Sequence, residues 1–421
     1  MDTFVDSSWY YLRFLDSRNA AEAFTPANVQ RHMPVNLYIG GIEHAILHLL
    51  YARFISKFLW KEGHLAMPSQ PHGPAQSPLD RQRGEPFTQL LTQGMVHGQT
   101  FKDPDTGQYL KPDEVDHSHS HLRPTVRRSG KPALINQEKM SKSKHNGVDP
   151  QNIVRQYGAD CTRLYILYKA PPQDVLEWDD QSIIGMQRWL IRVGRLVTFV
   201  QDQLANSEPT NLSLVTDYQQ LLSATSSQWS SSDRQIYHLT HQTTQQVTQD
   251  LTEHHAFNTA IASLIKLTNA LIQHVQQWSA PSPPPSVFVL VVAHALAQLL
   301  RLLAPMAPCT AEELWSRLLI SPLVNTVYDP DTSVFSQPWP KIDPQALQDP
   351  TAVCVVQING KTRFKTTIAT ELLGDEAQLI SLLQADPSYT KWTVDRTSGQ
   401  PMTMLKTIVV QGGKLVNFIV K

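Results

Sequence analysis

Cysteine is scarce in this chain. Cys161, Cys309 and Cys354 stand far apart, with no CxxC and no Cys/His spacing of the zinc-finger type. That excludes a disulfide framework and points to a reducing compartment. Net charge is also lacking. Basic residues number 36 and acidic residues 37, for a formal charge of -1. No global field therefore draws the chain toward a polyanion, and any nucleic-acid contact must come from local basic clusters. The opening MDTFVDSSWYYLRF carries acids and has neither a basic n-region nor an apolar core. It reads as neither a secretory signal nor a transit peptide. The longest apolar stretch, Val287 to Ala297, is interrupted by His294 and followed by Gln298 and Arg301. It is too short and too polar to span a bilayer and reads as a core helix. Hydrophobic residues at 41% of 421 positions suffice for several cores, at about 100–200 residues per domain.

Texture changes along the chain. Up to about residue 170, short apolar runs, Gly turns and helical patterns alternate as in α/β chains. VNLYIGG (35–41) reads as a strand ending in a Gly turn, and EHAILHLLYARFISKFLW as the helix after it. LLTQGMV reads as a second strand. From Ser182 to Trp315 the spacing is that of a helix bundle, with Ser/Thr/Gln-rich breaks at 223–232 and 280–286. A Pro-containing linker follows over 338–350. The remainder returns to strands. Asn359-Gly360 marks a tight hairpin, a helix is expected near 376–384, and a second hairpin turns over Gly412-Gly413.

Chemistry concentrates in a few strings. Lys139-Met140-Ser141-Lys142-Ser143 places two lysines three apart in a Ser- and Gly-containing loop. Such a loop can close over a polyphosphate and neutralise a leaving group; a solvated basic run is the plain alternative. In Gly40-Gly41-Ile42-Glu43-His44-Ala45-Ile46-Leu47-His48, two glycines after a strand let a ligand approach the backbone. The helix N-terminus expected there would favour an anion. His44 and His48, at i and i+4, would share a helix face. That spacing also suits a zinc pair, but the Glu precedes the first His and no third ligand is evident; two packed histidines are the structural alternative. For the aromatic segment around Phe4 and Tyr10 a core strand is the structural alternative; in a regular strand Trp9 and Tyr11 would point away from them. His117, His119 and His121 alternate with Ser as a polar loop, and Asn211-Leu212-Ser213 is a chance glycosylation sequon.

The exact strings carry a resemblance. QEKMSKSKHNGVDP resembles the second signature of the class I aminoacyl-tRNA synthetases in its leucine, isoleucine and valine branch. YIGGIEHAILHLLYARF is similar to the segment lining the active site of leucyl-tRNA synthetases, and MDTFVDSSWYYLRF to the stretch where that family re-enters the catalytic domain. LYILYKAPPQDVLEWDD, FNTAIASLIKLTNAL and LAPMAPCTAEELW resemble its downstream segments, with Cys309 where that family commonly has His. The resemblance implies an α/β plus all-α protein in three parts. Residues 1–178 would be the C-terminal half of a Rossmann-like catalytic domain, 179–340 a helical anticodon-binding-type domain, and 350–421 a small α/β domain that contacts tRNA.

It also implies roles. Lys139 and Lys142 would supply catalytic charge. Gly40, Gly41, Glu43, Met95, Val96, Met140, Ser141 and Ser143 would contact ATP, and Phe4, Ser7, Tyr10, His44 and His48 the leucine side chain. The reaction would join leucine to tRNA(Leu) in two steps, with ATP as substrate, Mg2+ as its counter-ion, no resident metal and no membrane partner, in a monomer. The family's first signature, of the His-Ile-Gly-His type, and its editing module do not occur in this chain. The chain is therefore expected to be a partial form, inactive alone. A noncatalytic RNA-binding protein of synthetase origin is the alternative. HGQTFKDPDTGQYLKPDEVD resembles animal mitochondrial enzymes and implies the mitochondrial matrix, with the cytoplasm as alternative.

Overall fold

The N-terminal aromatic segment is helical, contrary to the strand its composition suggests. In the computed structural model, which describes residues 4–65, 84–118, 123–205, 228–278, 286–319, 331–348, 351–394 and 400–421, α1 (Phe4–Ser7) and α2 (Tyr10–Arg13) open the chain. Burial decides the matter. Tyr11 and Leu12 pack with Val29 and Met33 around α3 (Pro26–His32), and with Ala52 and Leu65. The Tyr11 hydroxyl also donates to the Ala52 carbonyl at 3.0 Å. Within α1 the i, i+3 pair Phe4 and Ser7 lies toward one side, and α2 begins at Tyr10 after the break at Trp9.

Two compact units divide the chain. One comprises 1–185 with 255–258, the other 186–254 with 259–421. In the first, β1 (Tyr38–Gly41) pairs in parallel with β2 (Leu90–Gln93), Tyr38 opposite Leu90 and Gly41 opposite Gln93. Between them the chain does not enter a helix at once. Ile42–His44 form a 3-10 turn, Leu47 departs from helical angles (φ -120, ψ -77), and α4 runs only over His48–Lys61. His44 therefore lies outside the helix that starts at His48, and the two do not share one helix face. α4 is apolar on two sides. Leu49, Ala52 and Ser56 are buried, while Leu50, Tyr51, Phe54 and Phe58 lie open, Phe54 at 65% exposure.

A second sheet centres on β3 (Val96–Lys102). β4 (Tyr109–Leu110) pairs with its end, and β5 (Val115–Asp116) pairs with β6 (Thr125–Val126) beside it. β7 (Leu134–Lys139) runs antiparallel to β3 from His97 opposite Lys139 to Lys102 opposite Leu134, and β8 (Leu176–Glu177) pairs with β3 in parallel. Leu110, Val115, Val126 and Ala133 form a small core against Phe101. His117 lies edge-on to Phe101; His119, His121 and the 211–213 sequon lie outside the described residues. α5 (Pro150–Tyr157) is capped by Asp149, whose carboxylate accepts the Gln151 N–H, and α6 (Ala159–Lys169) follows.

The long helices fall mainly in the second unit: α7 (Asp180–Ala205), α8 (Ser231–Gln249), α9 (Phe257–Gln277), α10 (Ser286–Leu303) and α11 (Pro308–Leu319). α10 is the core helix expected of its run, buried at every position from 287 to 303. Among the described residues no helix is long and apolar enough to cross a membrane. Its few polar groups are tied together. Arg301 donates to the Gln298 side-chain oxygen at 2.8 Å and to the Pro338 carbonyl at 3.2 Å. Next to them His241 accepts the Asp343 N–H at 3.1 Å, and Tyr237 donates to the Asp343 carboxylate. The 338–346 segment, foreseen as a linker, is thus pinned to the helices of its own unit.

The terminal region is a four-stranded sheet with α12 (Glu376–Ala385) and α13 (Pro387–Thr393). β9 (Thr351–Ile358) and β10 (Lys361–Ala369) form the first hairpin, β11 (Met404–Val410) and β12 (Leu415–Val420) the second, in the order β10-β9-β12-β11. Asn359 and Gly360 both take left-handed angles (φ 52 and 76), as a two-residue turn that follows the strand twist requires. Val356, Ile358, Val416 and Phe418 meet Leu379 and Leu383 of α12 in its core. α13 was not foreseen; Asp386 caps it by accepting the Ser388 N–H at 2.7 Å.

The buried histidines make this unit acid-sensitive. Burial pushes His241 down to about 4, partly offset by Asp343 and reinforced by His238, and burial holds His294 well below its usual range. A folded-state value below the unfolded one means that stability is whole above about pH 6.5 and is lost as pH falls toward 4. For His241 alone the loss is about 3 kcal/mol, at about 1.4 kcal/mol for each tenfold change in proton affinity. Urea melts at pH 7.5 and 5.0 check this: the His241→Gln variant should lose less stability on acidification than the parent.

Candidate active site

The five residues assigned to an amino-acid side chain from the sequence meet in one cleft. Phe4, Ser7 and Tyr10 form one wall, His44 and His48 another, and β1 with Leu90, Leu91 and Thr92 the floor; the volume is about 310 Å³. A hydrogen-bond chain crosses it. The hydroxyls of Tyr10 and Tyr38 lie 2.5 Å apart, and that of Tyr38 lies 2.8 Å from Nε2 of His48. Tyr38 also stacks on Phe87 with centroids 3.9 Å apart. Burial holds the His48 imidazole below the usual histidine range, and His44 pushes the same way; burial also pushes the Tyr38 hydroxyl up. The cleft is thus largely aromatic, with the neutral forms of His48 and Tyr38 favoured, and is suited to a small apolar group. Among the described residues no group of three or more His, Cys, Asp or Glu could hold a metal ion, so the zinc-pair alternative for His44 and His48 finds no third ligand there. Tyr38 was missed in the sequence, where it is one apolar position of a strand.

The glycine pair does separate jobs. Gly40 faces open space, whereas a Cβ on Gly41 would lie 2.5 Å from the Glu43 carboxylate, which folds back over it. That carboxylate is held below its usual range by its own backbone N–H, and also by Lys139, whose ammonium lies 3.3 Å away. One ion pair thus links the Gly-Gly turn to the end of β7.

The loop after β7 carries the other assigned residues. Met140, Ser141 and Lys142 line an open depression of about 720 Å³ with Lys111, His145 and Gly147. Lys142 and Lys144 lie in one 3-10 turn that ends at His145 in a left-handed conformation (φ 53), and the hydroxyls of Ser141 and Ser143 are 3.1 Å apart. The lysines have different partners. Lys144 binds Glu138 at 2.6 Å, which Lys102 also binds at 2.8 Å and Tyr109 at 3.2 Å. Hydrogen bonds from these lysines hold Glu138 at about 2. Lys139 faces Glu43. Lys142 has no ion-pair partner among the described residues, which leaves its ammonium for a ligand.

Met95 and Val96 stand apart from this pattern. The Met95 carbonyl accepts from Leu176 and the Val96 carbonyl from Met140, both at 3.0 Å. Each carbonyl thus gives one of its two lone pairs to the sheet. Gly94 is forced by crowding: a Cβ would lie 1.9 Å from the Asp174 carbonyl oxygen.

Comparison with known proteins bears on this arrangement. A model of class I tRNA synthetases for isoleucine, leucine, methionine and valine matches residues 135–179, which contain the loop. A model of the anticodon-binding domain of tRNA ligase matches 233–378. The fold is that of a class I synthetase's C-terminal region. Over its whole length the chain is 38% identical to a leucine–tRNA ligase of Prochlorococcus marinus, covering 42% of that protein, and 39% identical to one of a Synechococcus, covering 41%. A crystal structure of the ternary complex of Agrobacterium radiobacter LeuRS, tRNA and LeuAMS superposes with a TM-score of 0.58 at 29% identity, covering all of this chain and 42% of that one. The chain thus spans about two fifths of the length of the relatives it matches.

The loop's seat is testable without any ligand. A Cβ on Gly98 would lie 2.4 Å from the Asn146 carbonyl oxygen and 3.2 Å from the Met140 side chain. Gly98→Ala should therefore cost about 1–3 kcal/mol, as overpacking does. Chemical denaturation should show that loss, and Gly40→Ala, which meets open space, should show far less.

Proposed function

We propose that this chain supplies the amino-acid cleft, the phosphate loop and the tRNA-facing modules of a leucine–tRNA ligase. The observation that carries the reading is the meeting of Phe4, Ser7, Tyr10, His44 and His48 in one largely aromatic cleft, joined to the Lys139 loop through Glu43. In the reaction, leucine's isobutyl group occupies the cleft and its carboxylate attacks the α-phosphate of ATP. Lys142, with Lys139 once released from Glu43, neutralises the departing pyrophosphate. Mg2+ enters with ATP as part of the substrate. The terminal ribose of tRNA(Leu) then takes the leucyl group from the adenylate. Gly40, Gly41 and Glu43 would meet the adenosine part of ATP.

The exposed face of α4 and the two-stranded parallel pairing of β1 with β2 belong to this reading. Parallel sheets are covered on both faces, and two strands alone are marginal. A longer α/β domain, as the relatives' length allows, would bury both. Leucine activation is therefore assigned to the protein completed by such a domain. For the tRNA, the terminal sheet offers Lys361, Arg363 and Lys365 on β10, with Arg363 over the Trp392 ring at 4.3 Å. A monomer and a mitochondrial matrix location complete the proposal, the latter resting on the resemblance of the 97–116 segment.

Leucine-dependent ATP–pyrophosphate exchange tests the reading, with the chain assayed alone and mixed with the N-terminal region of a relative. Exchange should appear only in the mixture, and robust exchange by the chain alone would refute the division of labour. In the mixture Lys142→Ala should lower the rate about 10²–10³-fold, the usual cost of removing a preorganised charge stabiliser. His48→Ala should raise KM for leucine more than KM for ATP. An equal rise in both would remove His48 from the leucine cleft.

A further inference from the structure

Beneath the loop lies one more polar side chain, away from the cleft and the open depression. Asn146 is buried, at 7% exposure, in a loop whose other polar residues are exposed or half-buried. Its Oδ1 accepts the Ser141 N–H at 2.9 Å. Its Nδ2 donates to Thr100 Oγ1 at 2.9 Å and to the Glu138 carbonyl at 3.0 Å, with the Gly98 and Lys139 carbonyls next nearest at 3.4 and 3.3 Å. One amide thus joins β3, the end of β7 and the first turn of the loop. Thr100, also buried, donates its own proton to Gly98. The missing Cβ of Gly98 is what lets the backbone of Asn146 settle on β3.

We infer that Asn146 is a positioning residue for the phosphate loop, clamping both ends of 139–146 so that Lys142 is presented from a fixed base. Three features of the loop converge on this. The chain leaves β7 at Lys139 and returns to it at Asn146, so the loop is closed at its neck by a side chain. The left-handed His145 turns the backbone so that the next residue points inward. Glu138, whose carbonyl Asn146 holds, carries on its carboxylate the clamp for Lys144. Two lysines are therefore fixed by acids, the neck is fixed by an amide, and Lys142 on the 3-10 turn is the cation with room to follow a ligand. Orientation of this kind is worth orders of magnitude in rate when the charge it places acts in the transition state.

The inference rests on the loop's role in leucine activation, and two measurements separate the two claims. The first uses the chain as it is. Hydrogen exchange should show the Ser141 amide protected, and Asn146→Ala should speed its exchange at least about tenfold, the β3–β7 amides changing little. Asn146→Asp keeps the acceptor for Ser141 but loses both donated bonds, so it should protect Ser141 while loosening the strand anchor. Unchanged exchange in Asn146→Ala would overturn the clamp. The second is a double-mutant cycle in the completed protein. Asn146→Ala should lower the pyrophosphate-exchange rate constant about 10²-fold with KM for leucine little changed, yet cost less than about threefold when Lys142 is already Ala. Full additivity would mean that Asn146 does not act through Lys142. If the completed parent activates no leucine, the reading of the site fails and the positioning role with it, while the clamp is still decided by exchange at Ser141.

Discussion

The site depends on one strand. β3 is the only strand of its sheet, among the described residues, with three partners: β7 along its length, and β4 and β8 at its ends. It fixes where β7 stops, and therefore where the loop begins. It also carries Gly98 and Thr100, on which the loop's base rests. The parallel β1–β2 pair does the same for the cleft, setting Gly40-Gly41 beside Thr92 and Gln93. Strand pairing thus supplies the rigid frame, and the groups with chemistry hang from strand ends, where backbone N–H and C=O groups are not all committed to the ladder.

Much of this was legible beforehand, and for definite reasons. The hairpin over Asn359-Gly360 was readable because two consecutive left-handed residues admit few side chains. α10 was readable because an all-apolar run with few polar interruptions has nowhere to go but a core. The cleft residues were reached by resemblance of strings, and the aromatic composition of 4–11 offered a core strand as the alternative where two short helices lie. That error has a physical root: aromatic residues favour strands locally, but the burial of Tyr11 and Leu12 against α3 outweighed the preference. Similarly, the pattern of α4 extended its apparent start back to Glu43, since a 3-10 turn and a helix share nearly the same period.

Some features could not be read at all. Tyr38 becomes important only because Tyr10 and His48, 28 residues before it and 10 after it, arrive on either side of its hydroxyl. Asn146 looks like an ordinary loop amide until β3 is placed beneath it. Long-range convergence leaves little trace in a local pattern. Its signal here is burial, a polar side chain where the loop's composition promises solvent.

The pairing of the loop's cations has a further consequence for selectivity among anions. Of Lys139, Lys142 and Lys144, two are matched by Glu43 and Glu138 within the same unit. Glu138 is shared between Lys144 and Lys102, however, so about half of the positive charge around the resting loop is cancelled. An undiscriminating basic patch would gather RNA and other stray polyanions from a crowded solution. A loop whose charge is partly cancelled at rest presents its full positive potential to a ligand that can also draw Lys139 from Glu43.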